Sequence, residues 1–213
     1  MIRLLSVARN TRGVALVEFA VCLPFFLMLM TGGIELGNMI LMHVRLERTS
    51  RALADMVARK ASDLEGLSDR EMNDMILITR KGSGEDLDKD SRIVVTSVLG
   101  EDADGNGVSD GNVIKWQRFG GSYVEAPIAL GCWSTTSKAV LAKDRQLNVG
   151  ETLYHVQITK KYDPLMRVLF EAISVPTSVT RAATFRGRGS IFRQMLTSPG
   201  VVVQNRCTTS YTA

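Results

Sequence analysis

One carboxylate, Glu18, interrupts an otherwise apolar run from Gly13 to Ile34, and no other charge follows until Glu35. A carboxylate in such a run is costly unless it has a partner or a task. Cutting the chain after Gly13 would make Val14 the new amino terminus, with Glu18 one helical turn away. The freed α-amine and the carboxylate would then neutralise each other, within one chain or between neighbours packed side by side.

Two further sets of residues have the types and spacing for chemistry. Asp102, Asp104, Asn106 and Gly107 stand at positions one, three, five and six of a calcium-loop pattern, with Asp110 at nine. Val113 occupies position twelve, where a bidentate glutamate belongs, so the set reads either as a Ca²⁺ site of four oxygen donors or as a polar turn. Cys132 and Cys207 lie beyond the apolar run. In an oxidising compartment they pair across a loop of about 75 residues in preference to remaining buried thiols. Cys22 sits within the run, as a small apolar residue. The two histidines, His43 and His155, show no zinc-binding spacing. Ser134, Asp144 and His155 form a triad on paper only, because no nucleophile elbow surrounds the serine. His155 reads as a strand surface residue. No enzyme is expected.

The elements that position these groups follow from periodicity and flanks. At about 1.5 Å per residue, the apolar run is long enough to cross most of a bilayer's apolar core. Arg3, Arg9 and Arg12 precede it without an acidic residue, which predicts a cytoplasmic N-terminus and export of everything after Ile34. Pro24 is expected to break one helical bond by lacking an N–H. Beyond Gly32, Gly33 and Gly37, the residues Met39, Met42, Leu46, Leu53, Met56 and Val57 continue at helical spacing, so one helix is predicted from about Val14 to Leu64. Ser68 and Glu71 make a capping box for a second helix through about Arg80, with Met72, Met75, Ile76 and Thr79 on one face. Strands are predicted at Ile93 to Leu99 and Val113 to Phe119, joined by the acidic loop as a hairpin. Further strands are expected at Leu153 to Tyr162, with Tyr154, Val156 and Ile158 facing the core, at Val175 to Phe185, and at an edge formed by Val201 to Val203. Residues 134–147 read as helix or short strands, and Met166 to Ile173 as helix or loop. Arg186-Gly187-Arg188-Gly189 reads as a solvated turn rather than a phosphate site.

The formal charge of +4 is concentrated at the start of the chain. Without the first thirteen residues and their three arginines, 23 basic and 22 acidic side chains leave +1. No basic run remains to track a phosphate backbone, so nucleic acid is not an expected partner.

Gly13, four residues, then Glu18-Phe19, with arginines before and an apolar run after, resembles the class III prepilin leader. Within that group the opening Val-Ala-Leu-Val-Glu-Phe-Ala-Val-Cys-Leu-Pro is most similar to the TadE-like minor pseudopilins of the tight-adherence (Flp-type) pilus. Tyr162-Asp163-Pro164 and Thr180-Arg181-Ala182-Ala183-Thr184-Phe185-Arg186 also resemble features of the family.

The resemblance implies a prepilin peptidase that cuts between Gly13 and Val14, and a glutamate, Glu18, that guides the subunit into the filament beside Phe19. It implies a pilin-like α+β fold, a long helix packed on an antiparallel sheet in a stem-and-globule arrangement. The expected organisation is a cytoplasmic leader (1–13), a transmembrane segment (14–34), an amphipathic continuation of the helix (35–64) and an extracytoplasmic α+β domain (65–213). The expected partners are the peptidase, other pilins and minor pseudopilins, the inner-membrane assembly platform and the lipid bilayer. The chain is expected in the inner membrane with its C-terminal domain periplasmic, then in the pilus or at its tip. The rival reading is a membrane-anchored periplasmic binding module that is never polymerised.

Overall fold

A computed structural model describes residues 12–84, 86–133, 138–164, 177–189, 192–201 and 207. The expectations for Arg3, Arg9, the rest of the leader before Arg12, Ser134, Met166 to Ile173 and Val202-Val203 lie outside the described residues, and Val201 belongs to no strand.

Helix α1 runs unbroken from Arg12 to Lys60, through Pro24 and the three glycines. It stops four residues earlier than the periodicity predicts. Ala61 to Glu65 turn instead, and Gly66, at φ +75°, takes a left-handed conformation that side chains disfavour. Two compact units divide it. One holds α1 through Leu41; the other holds α1 from Met42, helix α2 (Asp69–Gly82) and the sheet. Strands β1 (Ser91–Glu101), β2 (Gly111–Gly121), β3 (Thr152–Lys161) and β4 (Ser178–Arg186) form an antiparallel sheet in the order β2-β1-β3-β4. The arrangement is α+β, a long helix packed on a four-stranded sheet.

The second unit's core follows from the predicted stripes. Leu46, Leu53, Val57 and Ala58 of α1 and Met72 and Ile76 of α2 meet Ile93 and Val95 of β1, Trp116 of β2, and Tyr154, Val156 and Ile158 of β3. The capping box forms: the Glu71 N–H donates to Ser68 Oγ at 3.3 Å and the Ser68 N–H donates to Glu71 Oε2 at 3.0 Å. Gly120 is required by packing, since a Cβ there would lie 2.6 Å from Cγ2 of Ile76. A bulge at Ser97/Val98 leaves Lys115 without a partner in the ladder. Ile114 therefore joins Val98 on the opposite face, in a second cluster with Leu130, Leu141, Leu147 and Leu153.

That opposite face is also covered, which strand alternation does not reveal. Gln157 Oε1 accepts the Ala129 N–H at 2.8 Å, and its Nε2 donates to the Pro127 carbonyl at 2.7 Å. Gln117 repeats the arrangement two strands away. Its Nε2 donates to the Gly131 carbonyl and its Oε1 accepts the Trp133 N–H, each at 2.7 Å. The two buried glutamines thus hold residues 127, 129, 131 and 133 through their backbones, as a strand would. Gln157→Leu should cost about 1–3 kcal/mol, because it removes the two side-chain hydrogen bonds that hold Pro127 and Ala129. Urea unfolding reads the loss, and hydrogen exchange at Ala129 should accelerate; an unaltered midpoint would count against the clamp.

His155 shares this covered face, a correction to its surface reading. It is half-buried, its Nδ1 lies 2.9 Å from Thr184 Oγ1, and its Nε2 is buried without a hydrogen-bond partner among the described residues. Burial pulls its pKa down to about 4. The unfolded chain therefore takes up this proton at about pH 6.5 and the folded chain only near 4. Stability should hold above pH 6.5, fall between 6.5 and 4 by at most about 3 kcal/mol, and level off below. His155→Gln should flatten that slope in urea titrations across the window; a slope unchanged by the substitution would assign it to other groups.

Candidate functional site: the N-terminal helix

Residues 13–30 of α1 are exposed throughout, and they are nearly all apolar. Leu16 is 72% exposed, Phe26 71% and Leu29 76%, an apolar surface larger than soluble monomers ordinarily leave to water. The best 18-residue window has a mean hydropathy of 2.3 and none of it is buried, so α1 is long and apolar enough to span a membrane. Within this surface Glu18 is exposed with Phe19 beside it, and Val14 lies one turn earlier.

Among the described residues, nothing requires Gly13 to be glycine. A Cβ at that position would meet nothing within 4 Å, and its φ is not positive. Gly32, Gly33 and Gly37 are alike in this respect. Each costs about 1 kcal/mol of helix propensity relative to alanine. Of the topology arginines, only the backbone of Arg12 is described, in the first position of α1.

The other candidate groups lie in the second unit. Oxygens of Asp102, Asp104 and Asp110 fall within 4.8 Å of one another. Asp102 also accepts the N–H groups of Gly105, Asn106 and Gly107 at 2.8, 3.1 and 2.8 Å, and Asp110 accepts that of Ala103 at 2.7 Å. The Gly107 N–H is the main cause that holds the Asp102 carboxyl below the usual carboxylate range. Gly107 itself has φ +82°. The Asn106 side chain donates to Asp104 and its Oδ1 accepts the Val108 N–H. The hard oxygen donors suit Ca²⁺ in kind, and Asp102, Asp104 and Asp110 would hold it. Val113 lies in β2 and offers no carboxylate, and much of the loop's acceptor capacity already closes the turn.

Cys132 and Cys207 form a disulfide, with Cα atoms 5.6 Å apart, packed against Val94, Phe119 and Ile128. Cys22 is a free, exposed thiol on α1. His43 Nδ1 lies 2.6 Å from Arg181 Nη2, a contact between α1 and β4. Sequence reasoning missed Asp69, Arg118 and Arg92 as anchoring charges. Arg92 is buried over the Phe119 ring and donates to the carbonyls of Val124 and Ala126. A lone charge inside a β-branched run was the available signal.

No characterised protein and no solved structure matches the chain significantly. A family model does match: residues 13–55 fit that of TadE-like proteins, a segment that begins at the candidate cleavage glycine and covers most of α1. Over that segment the chain is similar to TadE-like proteins, and the matched helix is the one that, among the described residues, is long and apolar enough to span a membrane.

Proposed function

We propose that the chain is a minor pilin or pseudopilin of a Tad-type pilus. It enters the inner membrane with its first residues cytoplasmic and its sheet domain periplasmic. A prepilin peptidase cuts between Gly13 and Val14, and the mature chain takes part in assembly or in the tip. The one observation that carries this reading is Glu18, a single carboxylate on an exposed apolar helix, one turn from the residue that cleavage would free. In lipid or between packed helices, an α-ammonium of a neighbouring subunit offsets the cost of that charge. The apolar side chains from Ala15 to Met30 then pack helix against helix, and the glycines admit close approach. The chain's part is structural rather than enzymatic.

The decisive measurement is the intact mass and N-terminus of the protein from membranes, with and without the peptidase. Residues 1–13 should be lost only when the peptidase is present. A chain that keeps them and still functions, or one that begins near Glu35, refutes the proposal; an uncut working protein fits the anchored binding module instead. Glu18→Ala should leave insertion intact and abolish incorporation into sheared pili, whereas normal incorporation would remove the charge pairing from the account.

A further inference from the structure

Where β3 begins and β4 ends, a cavity of about 390 Å³ opens between the turn at 148–150 and the segment that follows Arg186. We propose that this cavity binds a small polar ligand bearing an oxyanion, in class a sugar acid or a sugar phosphate, and that Arg186 and Arg188 receive its charge. The inference concerns the sheet domain alone and does not rest on the pilus reading.

Three observations carry it. The first is a surplus of positive charge held in place by buried acid. Glu151, with its side chain 4% exposed, accepts from Arg186 Nε at 3.2 Å, from Arg145 Nη2 at 3.3 Å and from the Asn148 backbone and side-chain nitrogens at 3.2 Å. Asp55 in turn pairs with Arg59 and lies 3.6 Å from Arg188. Two carboxylates thus face four guanidiniums, and of these charges Arg186, Arg188 and Glu151 line the cavity, a surplus of one positive charge. Arg186 spends its Nε on Glu151, and among the described residues its terminal nitrogens meet no acceptor; their forked geometry suits carboxylate or phosphate oxygens.

The second observation is that the wall is built rather than loose. The Gly187 N–H donates to the Thr152 carbonyl at 2.8 Å, and the Arg188 N–H donates to Ser62 Oγ at 3.0 Å. A Cβ on Gly187 would stand 3.3 Å from the Tyr154 ring, so glycine lets this segment lie close against β3. The third is the lining. Besides the two arginines it consists of Asn148, Glu151, Thr152, Val149 and three glycines, with no aromatic ring, and the volume is near the lower end of small-molecule sites, about 300–1,000 Å³. Such a wall matches a hydroxylated ligand of about one sugar unit better than an apolar one.

The test is titration of the full-length chain in detergent micelles with glucuronate, glucose 6-phosphate and, as a neutral control, glucose, read by calorimetry. One or both acids should bind saturably and more weakly as salt rises, while glucose does not. Which acid binds tells a carboxylate source from a phosphate source. Arg188 is mostly exposed and leaves the Glu151 cluster untouched, so Arg188→Gln should weaken binding about tenfold without changing the melting temperature, and Arg188→Lys should recover part of it. Binding of glucose as tight as that of the acids, no binding of either acid, or full affinity in Arg188→Gln each overturns the proposal.

Discussion

Asp69→Ala is expected to cost about 3–5 kcal/mol, because it leaves a guanidinium desolvated and unpaired. Asp69 Oδ1 accepts Arg118 Nε at 2.8 Å and Nη2 at 2.6 Å, which ties the first residue of α2 to the middle of β2. The Asp69 side chain is 3% exposed and that of Arg118 17%, so solvent screens the pair little. The remaining terminal nitrogen of Arg118 donates to the Gln117 carbonyl at 2.8 Å and cannot turn outward without losing that bond. Asp69 also lies in the first turn of α2, where a negative charge meets the positive end of the helix. A loss of this size should lower the melting temperature by roughly 6–20 °C for a domain of this size class. The double variant Asp69→Ala/Arg118→Met should recover most of it, since an apolar pair asks nothing of the lost partner. If Asp69→Ala alone melts within a degree of the parent, the pair is solvated and the assignment fails.

The second large effect concerns the disulfide. Cys132 and Cys207 are 75 residues apart, and removing the bridge should cost about 2–4 kcal/mol, chiefly by freeing the unfolded chain. Urea midpoints of the oxidised chain and of Cys132→Ala/Cys207→Ala measure it; equal midpoints would show that the bridge adds nothing to the fold. Gln117 holds Gly131 and Trp133, the residues on either side of Cys132. The clamp and the bridge therefore act on one stretch of backbone, and their losses should not add. Gln117→Leu should cost more in the alanine double variant than in the oxidised chain.

Local signals made much of this fold readable. Ser68 and Glu71 announced α2 because a capping box involves only neighbouring residues. The Gly-rich acidic loop announced the β1-β2 hairpin, and the alternation at Tyr154, Val156 and Ile158 gave the helix-facing side of β3. The other side of β3 was misjudged. Leu153, Gln157 and Thr159 are buried too, beneath residues 126–133, a covering with neither helical nor strand periodicity. Gln117 and Gln157 look like solvent-facing residues in a strand pattern, and only the tertiary structure shows what they hold. The same is true of the Asp69–Arg118 pair, whose partners are 49 residues apart. At the N-terminal helix the balance reverses. The Gly13–Glu18 spacing was legible from the first residues, while the fold adds mainly the finding that none of the described residues requires Gly13 to be glycine.

Strand order sets a timetable. β1 sits at the centre, hydrogen-bonded to β2 just after it in the chain and to β3 only after an excursion of some fifty residues, while β4 closes onto β3 later still. A chain emerging from the ribosome or crossing a membrane in the N-to-C direction first completes one hairpin, whose second flank stays open until β3 arrives. Distant pairings of this kind form slowly, and an unpaired strand edge invites foreign partners while it waits. Until β3 arrives, β1 therefore carries one unpaired edge, which is open to another strand.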